Sequence, residues 1–367
     1  MIAEEGACAS TITLEVVATP KGAFEVVWAD DGEGFEVKGR RYARNLQPTG
    51  AAQTLLPLHG GLFFTGFLGT WTGRYELAMN GGDFGEDPDD PAVGYRMPLN
   101  VEGDPVTPAL RIKPLRFVYL APAAFGHSLL FRFEPPFFGP TSCQSLGLLA
   151  QRLGANGAPI SAESRVNRRA SAWGGFSLAV DRLPDDTFLV VYSTCQNFDG
   201  LVARRLNPAG APVGKAIDLP LPGRVGNLAA AARGADFAVA AMVSNPSAGT
   251  FGYTRAVVDG QAFGPTLISP AVSRVIDLAA SPSGGYLLLF TRFLGEPPHN
   301  IVFAQELDAH GVQQGEPLAI TGDEGNFQVE GAAASLPDGR WIVISRAQQG
   351  EFGECTERLV GTVLASD

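Results

Sequence analysis

The densest cluster of chemistry-bearing side chains lies in residues 83–90, where Asp83, Glu86, Asp87, Asp89 and Asp90 place five carboxylates within eight residues. Hard cations such as Ca²⁺ are held by several oxygens at once, so this segment is a candidate calcium loop. It lacks the alternating acids and central glycine of a dedicated calcium loop, and its other reading is a solvated acidic loop. A second set is dispersed: Glu15, Asn227, Asp277 and Glu330 are oxygen-bearing residues near the starts of short strands rich in small residues. If those strands line a shared axis, the four oxygens could converge on one divalent cation and polarise a substrate oxygen. Otherwise they border a wet channel and bind only water.

Other chemistries are not spelled out. His59, His127, His299 and His310 are scattered among turn segments, with no His-x-His, His-Glu-x-x-His or Cys-x-x-Cys spacing. No Gly-x-Ser-x-Gly turn and no phosphate-cradling glycine loop occurs. Trp71, Tyr95, Phe137, Phe138 and Trp173 are aromatics able to stack on a sugar, but they do not recur from unit to unit. Phe137 and Phe138 sit between Pro136 and Pro140 as an apolar tip, suited to a partner or to packing. Trp28 and Trp341 match each other in apolar strands and read as core.

The elements that must position these residues repeat. Leu201-Val202-Ala203-Arg204-Arg205-Leu206-Asn207-Pro208-Ala209-Gly210 is a short alternating strand ended by a glycine turn. It recurs around residues 149–157, 254–260 and 303–311. Equivalent turn glycines are expected at Gly50, Gly103, Gly157, Gly260 and Gly311, about 50 residues apart. A second series of turns precedes apolar strands at 24–28, 62–64, 129–131, 188–192, 237–239, 286–290 and 341–344, which makes seven units.

Composition agrees with many short strands joined by turns: 45% hydrophobic residues, 45 glycines and 27 prolines. With 18% charged residues the chain is neither a coiled coil nor a disordered polyelectrolyte. A net charge of −11 argues against a nucleic-acid partner. No apolar run is long enough for a membrane span. Residues 1–10 lack the basic and apolar segments of a secretory signal, so the chain is expected to be cytosolic or to have lost such a signal. Four cysteines favour the second, a secreted, periplasmic or cell-surface protein.

A period of about 50 residues holding four strand-sized segments describes one blade of a β-propeller. Small residues suit the inner strand near the axis, and a second strand covered on both faces is continuously apolar. The expectation is an all-β, single seven-bladed propeller over residues 1–367, with four strands per blade. Residues 11–57, 58–113, 114–167, 168–221, 222–270, 271–321 and 322–367 form blades 1 to 7. The seventh unit stops short of a fourth strand, which residues 1–10 would supply, closing the ring. That pairing sets Cys8 beside Cys355, and a disulfide is expected there. Cys143 and Cys195 stand at matching points of neighbouring units, either bridged or as two buried thiols.

The phrase Ala150-Gln151-Arg152-Leu153-x-x-Asn156-Gly157-x-Pro159-Ile160, together with turns such as Pro337-Asp338-Gly339 before an apolar strand, resembles the repeats of bacterial secreted β-propellers. The resemblance covers nearly the whole chain, departs most between residues 70 and 98, and implies architecture only. The Ser-x-Asp-x-Gly-x-x-Trp box of sialidases is absent, as are the Gly-His and Trp-Asp signatures of eukaryotic scaffold propellers. The dispersed oxygen set resembles that of calcium-dependent lactonase-type propellers, which implies Ca²⁺ at Glu15, Asn227, Asp277 and Glu330. The expected function is recognition of a protein or glycan by a rigid, monomeric scaffold, through its loop face or channel mouth. Trp71, Phe137 and Phe138 are the candidate contacts. The alternative is a divalent-cation-dependent hydrolase or lyase at the channel mouth, and the third reading is a structural module within a larger assembly.

Overall fold

The structure, a computed structural model, describes the chain outside residues 1–2, 8–13, 20, 31–35, 58–65, 72–73, 82–92, 101–103, 113–117, 124–126, 134–145, 171–177, 184, 194–199, 246, 295–298, 321–329, 350–355 and 366–367. Among the described residues every regular element is a β-strand, and the strands form seven four-stranded antiparallel sheets. Blade 1 comprises Leu14–Ala18, Phe24–Asp30, Glu36–Tyr42 and Gln53–Pro57. Blade 2 comprises Gly66–Trp71, Arg74–Gly81, Val93–Leu99 and Leu110–Ile112. The innermost strands of blades 3 to 6 are Val118–Ala123, Leu178–Arg182, Arg224–Arg233 and Val272–Ala280.

Blade 7 joins the two ends of the chain. Glu330–Ser335, Trp341–Gln349 and Thr356–Leu364 are completed by Ala3–Ala7, with Ala3 opposite Val360 and Ala7 opposite Thr356. Backbone hydrogen bonds thus tie the ring shut, as the repeat count requires. The pairing ends one residue short of Cys8 and of Cys355; these two, with Cys143 and Cys195, lie outside the described residues. First strands of successive blades touch one another all the way round, last to first, so they line the axis.

Strand periodicity explains the core. In Phe188–Ser193, Phe188, Val190 and Tyr192 pack toward blade 3 while Leu189 and Val191 pack toward blade 5. Successive side chains point to opposite faces, and here both faces are covered, so the strand has no polar side. Every junction between neighbouring blades carries one such buried cluster. Each fully buried Leu, Val or Phe contributes about 1.5–3 kcal/mol. Trp28 and Trp341 are core residues, as expected.

The repeated turns share one chemistry. Asn207 and Asp308 each accept two following backbone N–H groups on Oδ1, and Gly210 and Gly311 sit at φ of +87° and +75°. Blade 1 departs from expectation. Its left-handed residue is Leu46 at φ +67°, not Gly50, and the Ala43–Gln47 backbone bonds match those of Asn207–Ala211. A leucine in that conformation costs about 1–2 kcal/mol, and Leu46 offsets part of it by packing on the core between blades 7 and 1.

Candidate functional site

The axis collects acids. Glu15 lies on the innermost strand of blade 1, Asn227 on that of blade 5, Asp277 on that of blade 6 and Glu330 on that of blade 7. Asp181, on blade 4, joins them. Most of these oxygens already serve the ring. Ala232 N–H of blade 5 donates to Asp181 Oδ2 at 2.7 Å. The Asn227 amide bonds both the N–H and the C=O of Val275 in blade 6. Asp277 accepts from Leu278 N–H at 2.7 Å and from Ala333 N–H of blade 7 at 2.8 Å. Arg274 of blade 6 reaches Glu330 of blade 7 at 3.5 Å. These contacts stitch blades 4, 5, 6 and 7 together. The ladder slips beside Asn227 and Asp277, between Val225 and Leu228 and between Val275 and Asp277, and such bulges re-aim side chains.

Glu15 is different, since its carboxyl has no hydrogen-bond donor among the described residues. Burial raises its pKa well above the usual range, and the charges of Asp277 and Glu330 raise it further. Burial likewise lifts Asp277, carries Asp181 to about 6, and carries Glu330 to about 7 against the pull of Arg274 and Arg346. Tyr119 of blade 3 is raised by burial and then by Glu15. Carboxyls sharing one desolvated axis cannot all ionise together. Among the described residues, no group of three or more His, Cys, Asp or Glu is arranged to hold a metal ion. Of the expected calcium set, Asn227 and Asp277 accept from backbone N–H groups, Glu330 is met by Arg274, and Glu15 feels the charges of Asp277 and Glu330. The acidic residues Asp83, Glu86, Asp87, Asp89 and Asp90, and the apolar tip of Phe137 and Phe138, lie outside the described residues. Trp71 ends the innermost strand of blade 2, opposite Arg74.

A second site was not expected from the sequence. Between blades 1 and 2 lies a cavity of about 490 Å³, lined among others by Lys21, Glu25, Gly39, Arg40, Arg41 and Asp104. That volume is within the range of small-molecule sites. Its lining includes the blade 1 turn residues Lys21, Ala43 and Gly50. Glu25 forms its floor. This carboxyl is 2% exposed, and its Oε2 has no hydrogen-bond partner among the described residues. Burial raises Glu25 to about 8, with Arg41 opposing the shift and Asp104 adding to it. Asp104 moves the other way: Gln53 donates to Oδ1 at 2.6 Å and Asn100 to Oδ2 at 3.1 Å, and these bonds hold it below its ordinary value.

The ladder registers explain why the cavity exists. Glu25 faces Arg41 one step after the Phe24–Tyr42 pair, and Glu76 faces Pro98 one step after Tyr75–Leu99, so the two glutamates are equivalent. Blades 3, 4, 6 and 7 have Leu129, Leu189, Leu287 and Ile342 there. Blade 2 answers its glutamate with Arg96, whose Nε donates to Glu76 while Nη1 donates to Gly154 O at 3.1 Å. The position equivalent to Arg96 in blade 1 is Gly39. A Cβ there would stand 3.2 Å from Glu25 Oε1 and 2.7 Å from Leu55 Cδ1. Blade 1 therefore keeps a buried acid and omits the guanidinium that fills the same place next door. Sequence did contain a signal, the one acid inside Phe24-Glu25-Val26-Val27-Trp28. Tyr95, a candidate for stacking, packs instead on the core between blades 1 and 2.

No protein-family model and no curated protein matches the chain. Solved structures do. A protein of unknown function from Dyadobacter fermentans is 12% identical, with 99% of this chain and 98% of that chain covered and a TM-score of 0.53. A lectin from Burkholderia pseudomallei is 16% identical, with 98% and 99% covered and a TM-score of 0.53. An ulvan lyase is 12% identical, with 89% and 88% covered and a TM-score of 0.50. No helix among the described residues is long and apolar enough to cross a membrane. At these identities the likeness is one of architecture, and the chain is a seven-bladed β-propeller with four-stranded blades.

Proposed function

We propose that this propeller recognises a saccharide in the cavity between blades 1 and 2. The observation that carries the reading is Glu25, buried at the floor of a cavity of about 490 Å³ with one oxygen unsatisfied. A buried polar group without a partner costs about 1–3 kcal/mol, and a ligand hydroxyl would relieve it. The cavity has the dimensions of a ligand site rather than of a flat protein interface. A lectin among the solved structures of like fold supports the choice of a glycan over a protein partner. The rigid ring supplies preorganisation, so little ordering is needed on binding. A cation-dependent hydrolase or lyase at the channel has less support, because backbone N–H groups occupy acceptors of Asp181, Asn227 and Asp277.

The reading is tested by screening the protein against a panel of neutral, acidic and amino saccharides, followed by calorimetry on the hits. Binding of at least one saccharide is expected, with loss of about tenfold or more in affinity for Glu25→Leu. Hits that bind wild type and Glu25→Leu equally would remove the cavity as the site.

A further inference from the structure

We propose that His127 and Arg152 form an acid-sensitive clasp between blades 3 and 4: the imidazole receives the guanidinium only while neutral, and its protonation frees Arg152 and loosens the blade 4 turn that Arg152 holds. The clasp shares no residue with the cavity between blades 1 and 2 and is independent of it.

His127 opens the second strand of blade 3, His127–Phe133, and Arg152 lies near the end of the third, Leu146–Leu153. Arg152 Nε donates to His127 Nδ1 at 3.1 Å. Its Nη1 donates to Pro208 O of blade 4 at 3.0 Å, and Nη2 stands 3.7 Å from Asp186 Oδ2, also of blade 4. One guanidinium thus joins an imidazole of its own blade to a turn carbonyl and a carboxylate of the next. An arginine only donates, so the ring nitrogen that receives it must hold a lone pair. Protonation turns that nitrogen into a donor and sets two positive charges face to face. Asp186 is itself unusual. Gly22, Gly284 and Gly339 take the same turn position in blades 1, 6 and 7, at φ of +81°, +113° and +87°. Blade 4 puts an aspartate there at φ +61°, where it also accepts from Arg182 Nε at 3.0 Å. Residues other than glycine rarely adopt this backbone, and here the side chain meets two arginines.

The surroundings favour the neutral ring. Burial lowers the pKa of His127 first, then the charges of Arg152 and of Arg96 from blade 2, while Asp186 pulls the other way. Asp186 is shared with Arg182, and Arg96 with Glu76. Ala123, opposite His127 in the ladder, adds no charge. With the folded value below the unfolded one, the clasp contributes fully above about pH 6.5 and is lost as pH falls through the lower folded value. The raised carboxyls Glu25 and Glu76 have the opposite sign and favour the folded state on acidification. Loosening in acid that is confined to this junction is therefore a signature of His127 and not of the carboxyls.

The test is hydrogen exchange read by mass spectrometry on the full chain at about pH 7 and about pH 5, corrected for intrinsic rates, with an NMR titration of the histidine rings. His127, assigned by its absence from His127→Asn, should titrate below about 6.5. Protection of the hydrogen-bonded N–H groups in the blade 4 turn at residues 207–211 should fall about tenfold on acidification. The matching blade 6 turn at residues 308–312 should keep its protection. In His127→Asn, whose side-chain oxygen can accept from Arg152 without titrating, the fall should vanish. In the wild type alone, equal protection of the blade 4 turn at both pH values, or the same fall in both turns, overturns the clasp. A His127 ring titrating at or above about 6.5, or a His127→Asn chain that keeps the fall, overturns it as well.

Discussion

Blades 1 and 2 carry the same unusual residue at the same ladder position and treat it in opposite ways. Glu76 is closed by Arg96, which is itself 4% exposed, and by the Ser128 hydroxyl at 3.5 Å. Glu25, opposite Arg41 in the ladder, has Gly39 beside its carboxyl and lines a cavity. In most other blades an aliphatic side chain stands there, and no charge needs an answer. The axis shows a further solution, in which Asp181 and Asp277 are met by backbone N–H groups of the next blade. A fold of repeated units therefore tolerates buried acids where a neighbour supplies donors, and Glu25 is the exception on which the proposed saccharide site rests.

The comparison is broken most forcefully by pH. Glu25 is raised from 4.5 to about 8, so the folded state holds its proton more tightly than the unfolded chain. Its contribution to stability is fully present below about pH 4.5 and is lost as pH rises toward 8, a loss on the order of several kcal/mol. Glu76 and Glu330, each raised to about 7, act in the same direction. Urea midpoints should fall between pH 5 and 8, and the fall should be shallower in Glu25→Gln; a midpoint that rises over this window contradicts the assignment.

Removing the answer in blade 2 comes next. Arg96→Met strands Glu76 in the core and should cost about 3–5 kcal/mol in urea unfolding, whereas Arg96→Met with Glu76→Leu should recover most of it. An unchanged single variant would mean that Arg96 does not compensate Glu76. Asp277→Ala leaves the Leu278 and Ala333 N–H groups without their acceptor and should cost about 1–3 kcal/mol. Glu25→Leu gives the opposite sign, a gain of about 1 kcal/mol at pH 7 with saccharide binding lost. The smallest effect on stability, within about 1 kcal/mol, is expected for Gly39→Arg, which copies the blade 2 solution into blade 1. Leu55 must shift to admit it, and the ligand site should close. Retained binding in that variant would place the ligand elsewhere.

Local chemistry made the architecture readable before any coordinates. Alternation in Leu201–Leu206, the Asx turn at Asn207 and the left-handed Gly210 are properties of neighbouring residues, and a unit repeated seven times multiplies the signal. Leu46 escaped because its φ is imposed by the turn and the core it packs on, with no glycine to announce it. Asp181 escaped because it stands opposite Leu189, the second residue of its partner strand, whereas Glu15 and Asp277 stand opposite Val27 and Leu289, each the fourth.

The amino-acid sequence by itself determined the number of sheets, their strand order and the joining of the chain ends, because turn residues and period-two patterning act over a few residues. Only the tertiary structure decided which acids are answered. Whether Glu25 meets an arginine, a leucine or an open cavity depends on a glycine fourteen residues away in the next strand, on the register that sets the two in place, and on the face that blade 2 presents across the junction.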